Sequence, residues 1–501
     1  MQRILRRGAP LVAASLLSCC LCALAAPSAS TLQACADIDA ALPAGQVVHH
    51  AASSSIRYHA ETAKYWSTAL REVEPACVVL PTSAADVAAA VRVLNRYPDV
   101  ELAVKSGGHD PNVGHATVQD GVLIAFHDLV GATYDAGAGL ARVRPGGEWN
   151  DVIGDLEPSG VAIVGGRLGL VGVGGYLLQG GISFLSAQYG LAADPDLAVA
   201  MRGGGNQFGI VTEFVVQAHP IGKVWGGFRF YADLQEEEIY AALHDFVPGG
   251  PDDPKAAIIL TSLLTVGSTE SHAIFYFYDG PEPPTTGPFA KFLEIPSILD
   301  VTSTQSYSSL LFANGASAEL LNSRVSFRTF TIPYIASNPG LYAEIRDQWR
   351  EITSDYLKDI GHLVALCSAD FQPFPSIIGQ HSQEKGGNAL GLSGSDPDRL
   401  IIELQCSWSD KDDDETLHAM SRQMTSWLQG KVPEWLAAAA AAAASADEPA
   451  EEGLYLPLFM NDAMGDQNVT GSYRDYAKFK ALQRSVDPDG LFNTRSGGYK
   501  Y

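Results

Sequence analysis

The most informative segment for the fold is GGRLGLVGVGGYLLQGG, residues 165–181, which holds eight glycines among its 17 residues. Two further glycine-rich segments flank it, KSGGHDPNVGH at 105–115 and RGGGNQFGIV at 202–211. Glycine lets successive backbone N–H groups approach a phosphate without interference from side chains. One such segment is most often a structural turn. Three of them between 105 and 211 predict a phosphate-binding site.

The common nucleotide and hydrolase motifs are absent. None of the three segments fits G-x-G-x-x-G or G-x-x-x-x-G-K-[ST], so neither a Rossmann fold nor a P-loop is expected. H-E-x-x-H and G-x-S-x-G are also missing, which argues against the commonest metalloproteases and serine hydrolases. No C-x-x-C lies beyond the first 25 residues, and no metal site is expected from the sequence.

The pattern of secondary structure is mixed. ACVVLP (76–81) reads as a buried strand, and Ser83 with Asp86 resembles the capping box of a following helix. Strands are then expected at 101–104, 121–126, 140–145 and 160–166, with a helix around 148–156. From 222 to about 455, strands such as KVWGGFRFYA and HAIFYFYDG alternate with amphipathic helices such as EEEIYAALHDFV. The expected fold class is therefore α+β.

Four stretches in order resemble the FAD-linked oxidases with a PCMH-type FAD domain, in particular their secreted berberine-bridge-enzyme-like branch in fungi and plants. They are KSGGHDPNVG, VGVGGYLLQGGISFLSAQYGLAAD, PDLAVAMRGGGNQFGIVTEF and DYAKFKALQRSVDPDGLF. The resemblance implies a two-subdomain FAD-binding domain over 73–220, completed by the C-terminal segment 455–501. It also implies a substrate domain over 222–455, with an antiparallel sheet backed by helices.

The resemblance further implies how FAD is held. The histidine of S-G-G-H, here His109, is joined to the flavin in that family, and a second link through cysteine is not expected because Leu168 stands at that place. A solvated loop histidine is the alternative. The implied FAD contacts are Lys105, Ser106, Gly107, Gly108, His109, Asp110, Gly114, His115, Gly172, Gly174, Gly175, Gly180, Gly181, Gly209, Ile210 and Val211.

The catalytic base is expected at Phe459-Met460-Asn461-Asp462, where relatives carry Y-x-N-Y. Both tyrosines are absent here, so Asn461 and Asp462 are the candidate catalytic residues. Asp462 could act as a base if burial raises the pKa of its carboxyl. A solvated loop aspartate is the other interpretation.

The first 25 residues read as a secretory signal peptide. Arg3, Arg6 and Arg7 precede an apolar run that ends in small residues, and this run is shorter than the roughly 20 residues of a membrane span. Secretion favours disulfides. Cys35–Cys77 is the expected pair, whereas Cys367 and Cys406 could equally be free thiols. Asn468-Val469-Thr470 is a glycosylation sequon.

Charge and family likeness together set the expected partners. With 33 basic against 57 acidic residues, the net charge of −24 argues against nucleic acid or an anionic membrane as a partner. The expected protein is a monomer that oxidises an alcohol, a sugar or a secondary metabolite, with molecular oxygen as acceptor. The alternatives are a dehydrogenase with another acceptor, and a flavin- or carbohydrate-binding protein with little turnover.

One expected element is missing. In relatives a β-hairpin follows the Y-G-L-A-A-D stretch, but here Asp194 passes directly into Pro195. Loss of a hairpin would remove backbone partners from the sheet of the FAD domain. The chain as written is therefore predicted to fold poorly and to hold FAD weakly.

Overall fold

The computed structural model describes residues 26–50, 55–191, 199–250, 252–267, 269–318, 322–362, 364–444 and 454–501. The signal peptide predicted at 1–25, the junction at Asp194 and the acidic tail after the alanine run lie outside these residues. Within the described part, no helix is both long and apolar enough to cross a membrane.

Helices and strands are mixed along the described chain. The α-helices are α1 (Ala29–Ala41), α2 (Ile56–Ala63), α3 (Ala84–Leu94), α4 (Trp149–Leu156), α5 (Val173–Leu178), α6 (Ser186–Tyr189), α7 (Glu236–Phe246), α8 (Pro288–Glu294), α9 (Tyr307–Ala318), α10 (Leu341–Lys358), α11 (Ser376–Glu384), α12 (Asp414–Ala444), α13 (Tyr476–Val486) and α14 (Leu491–Thr494). The strands are β1 (Val47–His49), β2 (Cys77–Val79), β3 (Leu102–Lys105), β4 (Val122–Ala125), β5 (Ala132–Asp135), β6 (Leu140–Val143), β7 (Val161–Ile163), β8 (Phe214–Pro220), β9 (Val224–Ala232), β10 (Ala256–Thr265), β11 (Thr269–Tyr278), β12 (Leu299–Asp300), β13 (Ser303–Gln305), β14 (Arg324–Pro333), β15 (Leu366–Phe374) and β16 (Arg399–Trp408).

The first sheet has the order β1-β2-β4-β3, with β2, β4 and β3 parallel and β1 antiparallel at the edge. Helices α1 and α3 pack together and contribute to the apolar core of this sheet. The Ser83 hydroxyl accepts a hydrogen bond from the Asp86 N–H at the start of α3, as the capping pattern predicts. A disulfide joins Cys35 of α1 to Cys77 of β2, which confirms the expected pair.

The second sheet is antiparallel, with the order β5-β6-β8-β7. The predicted helix α4 buries Trp149, Val152, Ile153 and Leu156 in its core. Trp149 fills the space beside two glycines of the central segment: a Cβ at Gly165 or Gly166 would lie within 2.5 Å of the indole ring. This contact fixes the course of the chain as it enters the glycine-rich stretch.

The third sheet follows the order β12-β9-β11-β10-β15-β16-β14, and β13 also pairs with β9. Along each strand the side chains point alternately to the two faces of the sheet, and both faces are covered by other parts of the chain. On β10, residues such as Ile258 and Leu260 join the core formed with α7, α10 and α12, whereas Ile259 and Thr261 point to the opposite side. This antiparallel sheet with helices on one face agrees with the expected α+β fold.

The strand register explains the state of the last two cysteines. Cys367 of β15 lies directly opposite Cys406 of β16, and the two are joined by a disulfide on the helix-covered face. Two buried cysteines at facing positions of adjacent strands are close enough to be bridged. The free-thiol alternative left open by the sequence is therefore not the one found.

The C-terminal segment returns to the first sheet. Ser496 forms an isolated bridge with Leu102 of β3, and the Arg495 guanidinium donates to the backbone carbonyls of Val100 and Leu94. Leu491 of α14 is buried in the core of the first sheet. The turn at 459–463 meanwhile packs with Ile182 in a separate core, so this segment links the sheets around one cavity.

Candidate active site

A cavity of about 420 Å³ lies where the glycine segments, the C-terminal turn and the face of the third sheet opposite its helices meet. Its lining includes Ser106 and His109 from the first glycine segment, Gly172 and Gly175 from the second, and Gly209 from the third. Asp370 and Glu403 enter it from the opposite side. A cavity of this size is typical of sites for cofactors and small molecules.

The first two glycine segments touch backbone to backbone. A Cβ at Gly107 would lie 2.6 Å from the Cα of Gly172, and a Cβ at Gly172 would lie 2.3 Å from the backbone nitrogen of Gly107. The Ser106 hydroxyl fastens the same junction, because it accepts from the Gly174 N–H and donates to the Pro145 carbonyl. Any larger residue at these glycines would push the segments apart, so the glycines build a close cradle.

His109 lies in the wall of the cavity with its ring stacked on Trp66. The ring centroids are 4.4 Å apart and the planes differ by 12°. The surrounding protein lowers the pKa of His109 to about 4, since desolvation outweighs the opposing charge of Asp110. The imidazole is therefore neutral at physiological pH, and a neutral imidazole nitrogen is the nucleophilic form.

Asp110 is held by the loop itself. Its carboxylate accepts from the backbone and side-chain N–H groups of Asn112 and pairs with Nδ1 of His115 at 2.9 Å. Burial acts to raise the pKa of Asp110, but His115 and the Asn112 bonds outweigh it and hold this pKa below its usual range. Asp110 and His115 thereby stiffen the loop that carries His109.

Most of the expected cofactor contacts line the cavity, and four do not. Lys105, Gly114, Gly180 and Gly181 lie outside the lining. The Lys105 ammonium instead donates to the Glu61 carbonyl and lies 3.5 Å from the Glu61 carboxylate. The expected contacts within the lining are Ser106, Gly107, Gly108, His109, Asp110, His115, Gly172, Gly174, Gly175, Gly209, Ile210 and Val211.

Asn461 and Asp462 both reach the cavity, but their surroundings differ. Asn461 Oδ1 accepts from the Gly181 N–H at 3.0 Å, and its Nδ2 donates to the Tyr176 carbonyl. Asn461 thus ties the second glycine segment to the C-terminal turn. Asp462 is buried, and its carboxylate lies 3.8 Å from the Arg167 guanidinium. It is not a solvated loop residue.

Asp462 meets two acids that the sequence analysis missed. Asp370 of β15 lies directly opposite Glu403 of β16 on the cavity face of the third sheet. Like charges at facing positions of a sheet are destabilising, and such departures from the usual rules are expected mainly at functional sites. The available signal was an acidic residue in the middle of an apolar strand, as in LIIELQCSW (400–408).

The three acids change one another's pKa values. Burial raises the pKa of Asp370 to about 6, although hydroxyl groups of Thr261 and Ser368 oppose the shift. Burial together with the charges of Asp462 and Asp370 raises the pKa of Glu403 well above its usual range. Burial also raises the pKa of Asp462, and Arg167 opposes this. These influences favour the protonated form of Glu403, which shares a hydrogen bond with Asp462.

Aromatic and aliphatic side chains line much of this half of the cavity, beside the polar Thr261, Ser368 and Gln405. Phe184 stacks on Phe275 with ring centroids 4.7 Å apart, and Phe228 meets Phe275 edge to face at 4.8 Å. Ile259 and Leu263 of β10 line the same half. A planar or apolar body can pack against these side chains while a polar group reaches the three acids.

Known proteins are similar to this chain over most of its length. A family model described as an FAD binding domain matches residues 75–205. An uncharacterised FAD-linked oxidoreductase of Arthroderma benhamiae is 33% identical over 481 residues, which is 89% of this chain and 91% of that protein. The FAD-dependent monooxygenase drtC of Aspergillus calidoustus is 29% identical, with 90% and 87% covered.

A solved structure shares the fold. BBE-like 1 of Physcomitrella patens matches with a TM-score of 0.68 and 16% identity, over 94% of this chain and 100% of that one. The close backbone cradle and the neutral imidazole beside it fit a cofactor with a pyrophosphate and a reactive ring. The protein is therefore an enzyme that uses FAD, and it belongs to the family of FAD-linked oxidoreductases.

Proposed function

We propose that this enzyme is a secreted oxidase of an apolar, ring-bearing alcohol or amine, with FAD joined to His109 and Asp462 as the proton acceptor. The observation that carries the proposal is the cluster of Asp370, Glu403 and Asp462, which faces the glycine cradle across one cavity. Bound FAD would supply the two-electron oxidation, for which molecular oxygen is the proposed final acceptor.

Attachment through His109 is supported by its place and its protonation state. It lies on the cradle loop and lines the cavity, and its imidazole is neutral. Trp66 stacks on one face of the ring and so limits its rotation. Leu168 lines the same cavity without a thiol, so the proposal has a single covalent link.

Asp462 is the proposed base because two influences act on the pKa of its carboxyl in opposite directions. Arg167 favours its ionised form, whereas burial raises its pKa toward the working pH. A base is most effective when its pKa lies near the operating pH. Glu403, whose raised pKa favours its protonated form, is the proposed hydrogen-bond donor to Asp462. Asp462 would then accept the proton of a substrate hydroxyl or ammonium group.

The apolar walls support a ring-bearing substrate over a sugar. Phe184, Phe228 and Phe275 offer aromatic contacts on one side of the acids. A sugar carries hydroxyl groups around its ring, and burying them without hydrogen-bond partners is costly. The proposal therefore favours a substrate with one oxidisable polar group on a largely apolar body.

Secretion is supported by the basic and apolar start of the chain and is compatible with the two disulfides at Cys35–Cys77 and Cys367–Cys406. Disulfides persist in oxidising compartments. Asn468 of the sequon is exposed, as a glycan acceptor must be, whereas Val469 and Thr470 are buried. Secretion and glycosylation belong to this proposal.

The test begins with a screen of aromatic alcohols, amines and sugars for peroxide production. The best substrate is then used to measure flavin reduction without oxygen in Asp462→Asn, beside Asp475→Asn as the control. Asp475 pairs with Lys478 and lies outside the cavity lining. We expect Asp462→Asn to slow reduction by about 10²–10⁴-fold and the control to have no effect. An unchanged rate in Asp462→Asn would reject it as the base.

A further inference from the structure

We propose that the helix-covered side of the third sheet carries a site for a divalent transition-metal ion, formed by Asp233, Glu236 and His272. One ligand atom of each residue lies within 4.8 Å of the others. The site is separate from the catalytic cavity, since none of the three lines it. The inference does not depend on the proposed function.

The local fold brings the three residues together from two parts of the chain. Strand β9 ends at Ala232, Asp233 begins the following turn, and Glu236 is the first residue of α7. His272 lies on the neighbouring strand β11, opposite Tyr231 of β9. The sequence alone does not show this site, because His272 is separated from the two acids by a complete helix and strand.

His272 provides the observation that points to a ligand. The residue is 1% exposed, and its Nε2 has no hydrogen-bond partner. The nearest acidic oxygen is Oδ1 of Asp233 at 3.8 Å. A buried ring nitrogen without a partner costs free energy. An ion between Nε2 and the carboxylates would satisfy it, because Zn–N and Zn–O distances are about 2.0–2.2 Å.

A second group of bonds prepares His272 to bind a metal. Its Nδ1 lies 3.1 Å from the Ser262 hydroxyl, which in turn lies 2.9 Å from the Tyr240 hydroxyl. When Nδ1 carries the proton and donates to Ser262, Nε2 presents its lone pair. Such outer bonds commonly orient metal-binding histidines.

The charged groups around the site have an excess of negative charge. Arg346 contacts Glu236, Glu270, Asp347 and, at 3.7 Å, Asp233. Arg350 contacts Glu270 and Asp347. Four carboxylates thus surround two guanidinium groups, which leaves two negative charges. A divalent ion has the charge that balances them.

The donor set selects the class of metal. Calcium and magnesium prefer sites made only of oxygen ligands. One imidazole nitrogen with two carboxylates suits zinc or a similar transition metal, with water in the remaining position. A bound ion would join the start of α7 to strand β11 and stabilise this part of the sheet.

The test uses FAD-loaded protein without an affinity tag, stripped with EDTA and then dialysed. Zn²⁺ is titrated, bound metal is counted by mass spectrometry, and Co²⁺ is used for its visible absorption. We expect one tight Zn²⁺ site per chain, and a Co²⁺ spectrum typical of four nitrogen and oxygen ligands. Asp233→Asn and His272→Asn should each weaken binding by more than about 100-fold, because loss of a supporting bond alone costs about 10–100-fold.

Asp347→Asn is the matched control, because it removes the same charge from the same cluster without removing a ligand. We expect it to change Zn²⁺ affinity by less than threefold. The proposal is overturned if stripped protein takes up no stoichiometric Zn²⁺, or if Asp347→Asn weakens binding as much as Asp233→Asn. Asp233 is half exposed, so its variant decides the matter even if His272→Asn does not fold.

Discussion

Replacement of Asp370 by asparagine should make the folded protein more stable, and the gain should depend on pH. The folded state raises the pKa of Asp370 from 3.8 to about 6. A carboxyl with a raised pKa holds its proton more tightly in the folded chain than in the unfolded one. Its burial therefore costs nothing well below pH 4, and the full cost is present above about pH 6.

The size of the effect follows from this shift. Each pKa unit corresponds to about 1.4 kcal/mol, so the carboxylate lowers the free energy of unfolding by about 3 kcal/mol at pH 8. The entropy of unfolding is on the order of 1 kcal/mol/K for a chain of this length, which converts the cost to about 3 °C in Tm. Asp370→Asn removes the titration and should recover this difference.

The assay is thermal unfolding of both proteins at pH 4 and pH 8. The informative quantity is the Tm of Asp370→Asn minus that of the unaltered protein, because the pKa of about 6 already includes the stronger hydrogen bond of Ser368 to the ionised carboxylate. We expect this difference to be about 3 °C larger at pH 8. The exposed Asp252 provides the control, since Asp252→Asn should show no such dependence. A difference that is the same at both pH values would show that burial of the Asp370 carboxylate does not carry this cost.

Two further predictions concern the chain outside the site. Insertion of a two-strand hairpin between Asp194 and Pro195 should raise the flavin-to-protein ratio and Tm, because it restores backbone partners to the sheet. Full flavin loading and a cooperative unfolding transition in the unaltered 501-residue chain would contradict this prediction. Protein secreted by a fungal host should begin near Ala26 and lose mass with a glycosidase, and Asn468→Gln should abolish the mass loss. An unprocessed N-terminus, or no change in mass, would argue against secretion or glycosylation respectively.

The sequence predicted the local structure well where the signal is local. The capping pattern at Ser83 and the strands around the glycine segments follow from short-range preferences, and all appear in the structure. The pairing of Cys35 with Cys77 is also confirmed. The state of Cys367 and Cys406 required the register of β15 and β16, which no local pattern gives.

The candidate site was predicted only in part, because strand pairing does not follow from a local pattern. Asp370 and Glu403 belong to separate strands, and only strand pairing brings them to Asp462. Lys105 belongs to the first glycine-rich motif, but its side chain does not line the cavity. Side chains alternate along a strand, so Val104 lines the cavity whereas the Lys105 ammonium points to Glu61. Motif membership therefore indicated the right loop but not the direction of each side chain.

The proposed attachment of FAD to His109 can be measured directly. The direct measurement is the fraction of bound flavin that stays with the protein after acid precipitation, in the unaltered protein, His109→Ala and His115→Ala. His115 lines the same cavity and is the matched control. We predict that flavin stays with the unaltered protein and with His115→Ala, and that His109→Ala releases it into the supernatant. Flavin released from the unaltered protein, or retained by His109→Ala, would contradict the proposed attachment.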